Sequence, residues 1–305
     1  MDIVIKDNYE GMMIREVLKK ELGFSVNYIK KLKFSPDGIK VNGNWVTVRY
    51  VLRPGDVLQL KTEDEKEDVS PYIIPVKLDI DIIYEDEYFT AVNKPSDMPS
   101  HPSLGHKLDT VANALAYRYI DKPYVFRPVN RLDRDTSGCM LTANTRDSSY
   151  KMYRLMTEGK IRKTYLAVTD GVPENDSGIM KSYMRRREES IIEREECDPD
   201  APDAKIAITE YTLLSSNGKQ SLMSLSPVTG RTHQIRVQLK GIGCPVFGDS
   251  LYGNASELIS RHALHSYRTS LPHPYTGEGL TLTAPLPDDM KAVMKKLSLS
   301  AEDYL

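Results

Sequence analysis

The residues with the clearest capacity for chemistry lie in one run, Arg131-Leu132-Asp133-Arg134-Asp135-Thr136-Ser137-Gly138. Asp, Thr and Ser hydrogen-bond neighbouring amides and Gly tolerates positive φ, so Asp135 to Gly138 reads as a tight turn with Asp133 at its entrance. A carboxylate fixed on a rigid turn between arginines can point into a cleft as a nucleophile or a general base. An aspartate in such a turn also serves as a plain structural cap, and this segment alone leaves both roles open.

A second run is Gly230-Arg231-Thr232-His233-Gln234-Ile235-Arg236. Ile235 and Leu239 are spaced for the buried side of a helix that Thr232 could start, which leaves Arg231 at its N-terminal end, free to reach a carboxylate. His233 has no metal-ligand spacing and no evident acidic partner, so it reads as structural. In a third run, Arg162 to Val168, strand periodicity puts Lys163 and Tyr165 on one face. A tyrosine beside a basic residue suits stacking on a nucleobase, and equally suits a half-buried core position.

The elements that must hold these runs follow from composition and periodicity. A chain of 305 residues, 40% hydrophobic and 28% charged, belongs to the soluble globular class and is long enough for two domains. Cys139, Cys197 and Cys244 form no CxxC pair and lie too far apart in sequence to suggest a metal cage or a disulfide framework, which favours a reducing compartment. The start Met1-Asp2-Ile3-Val4-Ile5-Lys6 lacks the pattern of a leader, and no stretch is apolar enough to span a bilayer, so a cytoplasmic protein without membrane contact is expected. A net charge of −2 gives no global sign of a nucleic-acid partner, so any RNA-binding surface has to be local. Residues 1–60 do hold ten Lys or Arg against seven Asp or Glu.

Within that basic segment, Ile14, Val17, Leu18 and Leu22 mark a short amphipathic helix ending at Gly23, and Ser25 can cap a second helix carrying Tyr28, Ile29 and Leu32. Arg15 and Lys19 on the first and Lys30, Lys31 and Lys33 on the second then form adjoining basic faces. Ile39 and Val41, the Asn42-Gly43 turn, and Val46 and Val48 predict a hairpin, and Val57 to Leu60 a last strand. The acidic run Glu63 to Asp68 reads as a linker, giving domains at 1–68 and 69–305. Beyond it, strand-like runs at Ile82–Tyr84, Thr90–Val92, Cys139–Thr142 and Tyr165–Val168 alternate with helical stretches, the signature of an α+β domain. Arg185 to Arg187 and the acidic Glu193 to Glu196 suggest a surface hairpin.

The order helix, helix, hairpin, strand resembles the small αL-type RNA-binding module known from a ribosomal protein. The remainder resembles the RluA-type RNA pseudouridine synthases through Arg131-Leu132-Asp133, Asp135 to Gly138, Lys163-Thr164-Tyr165 and Gly230 to Arg236. Supporting matches are Val92-Asn93-Lys94-Pro95, His101-Pro102, Gly248-Asp249, Leu251-Tyr252-Gly253 and His262 to Ser266. The resemblance implies a mixed, largely antiparallel sheet and isomerisation of uridine in RNA, ribosomal RNA ahead of transfer RNA, by a monomer needing no cofactor or metal. It makes Asp133 the catalytic carboxylate, Tyr165 the ring that packs on the target base, Arg231 the partner of the carboxylate, and Arg131 an aid to displacing the nucleotide. The chain departs from the family at Asn130, where a histidine is usual; Asn keeps hydrogen-bonding capacity but cannot titrate. Two rival readings use the same residues: an RNA-binding protein with weakened catalysis, and a hydrolase built on Asp133 and His233.

Overall fold

The structure is a computed structural model that describes residues 1–24, 26–61 and 68–301. Ser25 and the run Glu63 to Glu67 lie outside the described residues. The N-terminal part contains β1 (Asp2–Val4), α1 (Ile14–Glu16) continuing as a π-helical stretch Val17–Glu21, α2 (Val26–Phe34), β2 (Ile39–Val41), β3 (Asn44–Trp45) and β4 (Val57–Leu60). The strands form a sheet of order β1-β4-β2-β3, which buries Ile14, Val17, Leu18, Leu32, Ile39 and Leu58 in a cluster of its own. Asn42 and Gly43, at φ 50 and 80, make the expected tight hairpin turn. The second arm is shorter than its valines suggest, because pairing stops at Trp45.

From residue 81 the chain builds β5 (Asp81–Glu85), β6 (Phe89–Lys94), α3 (Val111–Arg118), β7 (Arg127–Pro128), β8 (Ser137–Ala143), α4 (Arg146–Thr157) and β9 (Arg162–Asp170). Then follow β10 (Ser177–Arg186), β11 (Arg194–Cys197), β12 (Lys205–Ser216), β13 (Gln220–Pro227), α5 (Gln234–Gly241), β14 (Leu264–Pro272), β15 (Gly279–Thr283) and α6 (Asp288–Lys296). These strands make one sheet of order β11-β10-β12-β13-β9-β14-β8-β6-β5, with β15 on β14 and β7 on β8. Pairing is antiparallel except between β8 and β14, so the sheet is mixed and largely antiparallel, and all four strand-like runs of the sequence fall inside its strands. Among the described residues no helix is long and apolar enough to cross a membrane.

The β8 strand is buried along its whole length because the sheet is covered on both faces there. Alternation sends Met140 into the large cluster shared with Leu115 of α3, Ile235 and Leu239 of α5 and Met290 of α6, and sends Cys139 and Leu141 into a second cluster with Met152 of α4. Gly138 sits where β8 meets β14 in parallel; at φ 110, a Cβ there would lie 2.3 Å from the Ser266 carbonyl oxygen. The strand that continues the Asp133 loop is thus locked at its first residues.

The N-terminal part rests on α4. Lys31 and Arg146 both bind Asp68, at 2.6 and 3.2 Å, and Arg146 stacks over the Tyr28 ring at 3.8 Å. Phe24 packs edge-on against Tyr150. Lys31 is therefore an ion-pair partner and not a member of the open basic face, since α2 turns it toward Asp68.

Candidate active site

The segment between β7 and β8 is extended, and alternate residues are fastened to the protein. Val129 N–H donates to Leu141 O at 2.8 Å, and Leu141 N–H donates to Asn130 Oδ1 at 2.8 Å. Ser100 Oγ donates to Leu132 O at 3.0 Å and receives Leu132 N–H at 3.3 Å. Lys94 Nζ donates to Arg134 O at 2.7 Å and to the carbonyls of Pro95 and Met98 at 2.8 Å each. Thr136 N–H closes a turn on Asp133 O at 3.1 Å, and its hydroxyl meets His262 Nε2 at 2.8 Å. With 130, 132, 134 and 136 anchored, the segment is held in place where Arg131 and Asp133 line the cleft. The turn spans Asp133 to Thr136, two residues earlier than the residue types suggest, because Ser137 and Gly138 are taken into β8.

The cleft has a volume of about 680 Å³ and is lined by Asp133, Arg131, Lys163, Tyr165, Arg231 and Arg236, among others. Asp133 meets Arg236, whose Nη1 donates to Oδ2 at 3.3 Å, while His233 Nε2 lies 3.9 Å from the same oxygen. Arg236 is in turn clasped by Asp249 through Nε at 2.7 Å and Nη2 at 2.8 Å, a forked pair that fixes the guanidinium plane. Asp249 Oδ1 also takes the N–H groups of Leu251 and Tyr252. Burial works against charge on both members, yet their mutual hydrogen bonds hold Arg236 above and Asp249 below its ordinary pKa.

This arrangement corrects two sequence expectations. The arginine paired with Asp133 is Arg236, not Arg231, whose Nε donates to Ile206 O at 3.0 Å. The cause is where the helix begins: Gln234 opens α5 after His233 at φ 57, so Arg231 lies outside the helix while Arg236 sits in its first turn facing the carboxylates. His233 does have an acidic neighbour, in Asp133. Its Nδ1 lies 2.9 Å from the Tyr252 hydroxyl, which already accepts the Arg194 N–H at 2.7 Å. Nδ1 is therefore engaged with Tyr252, and Nε2 is the ring nitrogen that faces Asp133. Burial keeps the His233 pKa below its ordinary value, favouring the neutral ring.

Tyr165 on β9 is 8% exposed, and burial raises its hydroxyl pKa. Lys163, two residues earlier, also lines the cleft, and burial lowers its pKa. Arg131 is exposed at the cleft wall. On the N-terminal part, Arg15, Lys19, Lys30 and Lys33 are exposed, and Arg15 and Lys19 border a shallow hollow with Val26 and Ile29.

Several supporting residues had no role assigned from sequence. Lys94 is wholly buried, and burial pushes its pKa down to about 7 against the pull of Asp135 and Asp133. Burial likewise lowers His262 to about 4. A signal existed for each, since Lys94, Arg236, Asp249 and His262 all fall in the runs that carry the family resemblance. Spacing along the chain could not show that they converge.

Comparison with known proteins agrees with the fold. Residues 88–240 match the model of the family described as RNA pseudouridylate synthase. An uncharacterized RNA pseudouridine synthase of Bacillus subtilis, YjbO, is 36% identical over 90% of this chain and 96% of its own length. Ribosomal large subunit pseudouridine synthase D of Vibrio parahaemolyticus is 31% identical over 98% of this chain and 95% of its own. Among solved structures, human RNA pseudouridylate synthase domain containing 4 shares the fold at TM-score 0.57 and 24% identity, covering 72% of this chain and 94% of that one.

Proposed function

The chain belongs to the RNA pseudouridylate synthase family, and from that premise we propose that it acts on ribosomal RNA, with Asp133 as the group that reacts at the target uridine. The observation that carries the role of Asp133 is its setting: a carboxylate at the cleft, 3.3 Å from an arginine that is itself immobilised by a buried aspartate.

Pseudouridylation breaks the bond from uracil N1 to the ribose and forms one from uracil C5 to the same sugar carbon. C5 gives up a proton and N1 gains one, so nothing is added or removed overall and no electrons leave the substrate. What the protein must supply is a group that engages the sugar–base unit, a surface that retains the detached base, and fixed charges around both. In this reading Asp133 is the first, as nucleophile or base toward the sugar. Tyr165 is the second, its ring packing on a uracil that has left its stack at a cost of a few kcal/mol. Arg236 orients Asp133, and Arg131 at the cleft wall occupies the space left by the displaced nucleotide. Arg231 contacts the RNA backbone at the mouth.

Ribosomal RNA is favoured because the Vibrio parahaemolyticus relative, similar along nearly its whole length, is named for the large ribosomal subunit. Residues 1–68 would act as an RNA-binding module, with Arg15, Lys19, Lys30 and Lys33 toward phosphates, and residues 69–305 as the catalytic domain. The deciding experiment maps pseudouridine across total RNA from cells lacking the gene, then restored with the wild type or with Asp133→Asn. One or more ribosomal uridines should lose the modification and regain it with the wild type alone. Restoration by Asp133→Asn would remove Asp133 from the chemistry, and a change confined to transfer RNA would overturn the substrate.

A further inference from the structure

We propose that Asn130 is a positioning residue for the reaction: its side-chain oxygen continues the β7–β8 ladder and so sets where Arg131 and Asp133 enter the cleft. The inference rests on the reading of Asp133 as the reactive carboxylate.

Pairing between β7 and β8 runs Arg127 to Ala143 and Pro128 to Thr142, and Val129 N–H still donates to Leu141 O. At the next step the chain must leave the sheet to form the cleft wall, and a backbone acceptor for Leu141 N–H is lost. Asn130 supplies one from its side chain, at 2.8 Å. The ladder is thereby extended by one rung while the main chain is already turning away, which is the local mimicry of backbone that short amide side chains allow. Leu141 is 1% exposed, so its N–H has no access to water and would otherwise be a buried unsatisfied donor.

The other end of the amide behaves differently. Asn130 Nδ2 is shielded from solvent and finds no partner among the described residues. If the amide were held by pairing at both ends it could be a simple packing residue. With the donor unused, the acceptor is the end that matters, and the requirement at 130 is for an atom that accepts a hydrogen bond from Leu141. A neutral imidazole nitrogen meets the same requirement, so a chain with Asn here needs no titratable group at this position.

The anchors at Leu132, Arg134 and Thr136 come from Ser100, Lys94 and His262 and hold the loop from its middle onward. Asn130 holds its start, and without it no hydrogen bond among the described residues between the Val129 rung and Leu132 fixes the turn of the chain into the cleft. Asp133 would then lose its register against Arg236, and a displacement of about 1 Å at the reacting group costs on the order of 100-fold in rate.

The test compares wild type, Asn130→Leu, Asn130→His and Asp133→Asn as full-length proteins on an RNA containing the mapped uridine. Asn130→Leu has the same branching of heavy atoms and no acceptor; its kcat should fall by about 10- to 100-fold with KM changed less than about threefold. Asn130→His should keep kcat within about threefold of wild type. Leu141 amide exchange, followed by NMR, should accelerate in Asn130→Leu and stay protected in Asn130→His. Wild-type kcat in Asn130→Leu, a raised KM at unchanged kcat, or equal impairment of both variants would each overturn the proposal. Where Asn130→Leu does not fold, Asn130→Ser, whose hydroxyl is too short to reach Leu141, takes its place under the same criteria. An active Asp133→Asn protein would instead sink the reading of Asp133 on which the inference stands, so the two failures are distinguishable.

Discussion

Replacing Arg236 by Met should be among the most damaging single changes near the cleft, and its cost follows from the surroundings. The side chains of Arg236 and Asp249 are 7% and 1% exposed and joined by contacts of 2.7 and 2.8 Å. Removing the guanidinium leaves Asp249 as a buried charge with no cationic partner, held only by the amides of Leu251 and Tyr252, a loss of about 3–5 kcal/mol. For a chain of this size each kcal/mol moves the melting temperature by roughly 2–4 °C, so Arg236→Met should melt about 6–20 °C lower. Arg231→Met removes an exposed guanidinium bonded to one carbonyl and should cost less than about 1 kcal/mol. Arg236→Lys keeps the charge but not the fork, and belongs between them. Scanning calorimetry on the three variants measures the stability, and single-turnover kinetics measures the effect on Asp133. Adding Asp249→Asn to Arg236→Met should recover part of the loss, because no unpaired charge then remains. An Arg236→Met protein that melts within about 2 °C of wild type, or an Arg231→Met protein that is equally unstable, would refute this role of the Arg236–Asp249 pair.

Lys94→Met should lower kcat more than it raises KM, since the loss of three carbonyl contacts loosens the Asp133 loop without touching the RNA; steady-state kinetics separates the two. His265 is wholly buried, with Nε2 toward Ala284 O and Nδ1 toward the Ser137 hydroxyl, and burial pushes its pKa from 6.5 down to about 4. The unfolded chain therefore takes up the proton first as pH falls, and stability should drop by roughly 2 kcal/mol between pH 7 and pH 5 from this group alone. Urea titrations at both pH values should show a smaller drop in His265→Gln. Gly138→Ala should yield insoluble or strongly destabilised protein, because both φ 110 and the Ser266 carbonyl forbid a Cβ, and soluble expression with a wild-type melting temperature would contradict this. Replacing Arg15, Lys19 and Lys30 by Glu should weaken RNA affinity and flatten its salt dependence, while Lys31→Glu should act through stability at the Asp68 contact; filter binding across a salt series and thermal melts tell them apart.

Much of this molecule could be read along the chain. The strands around Ile82, Thr90, Cys139 and Tyr165 were visible because apolar residues alternate or cluster over short runs between turn formers, and the Asn42-Gly43 turn because few residue pairs tolerate its geometry. Asp133 stood out because turn chemistry and charge coincide within eight residues. What stayed hidden is which distant side chain meets it. Arg231 and Arg236 are both arginines of one run, and choosing between them depends on where α5 begins, which is set by a left-handed His233 and by Asp249 waiting across the fold. The anchoring contacts of Lys94, Ser100 and Asn130 are likewise invisible in sequence. Their meaning comes from carbonyl and amide groups presented by chain segments up to 40 residues away, and only the packed sheet brings those together.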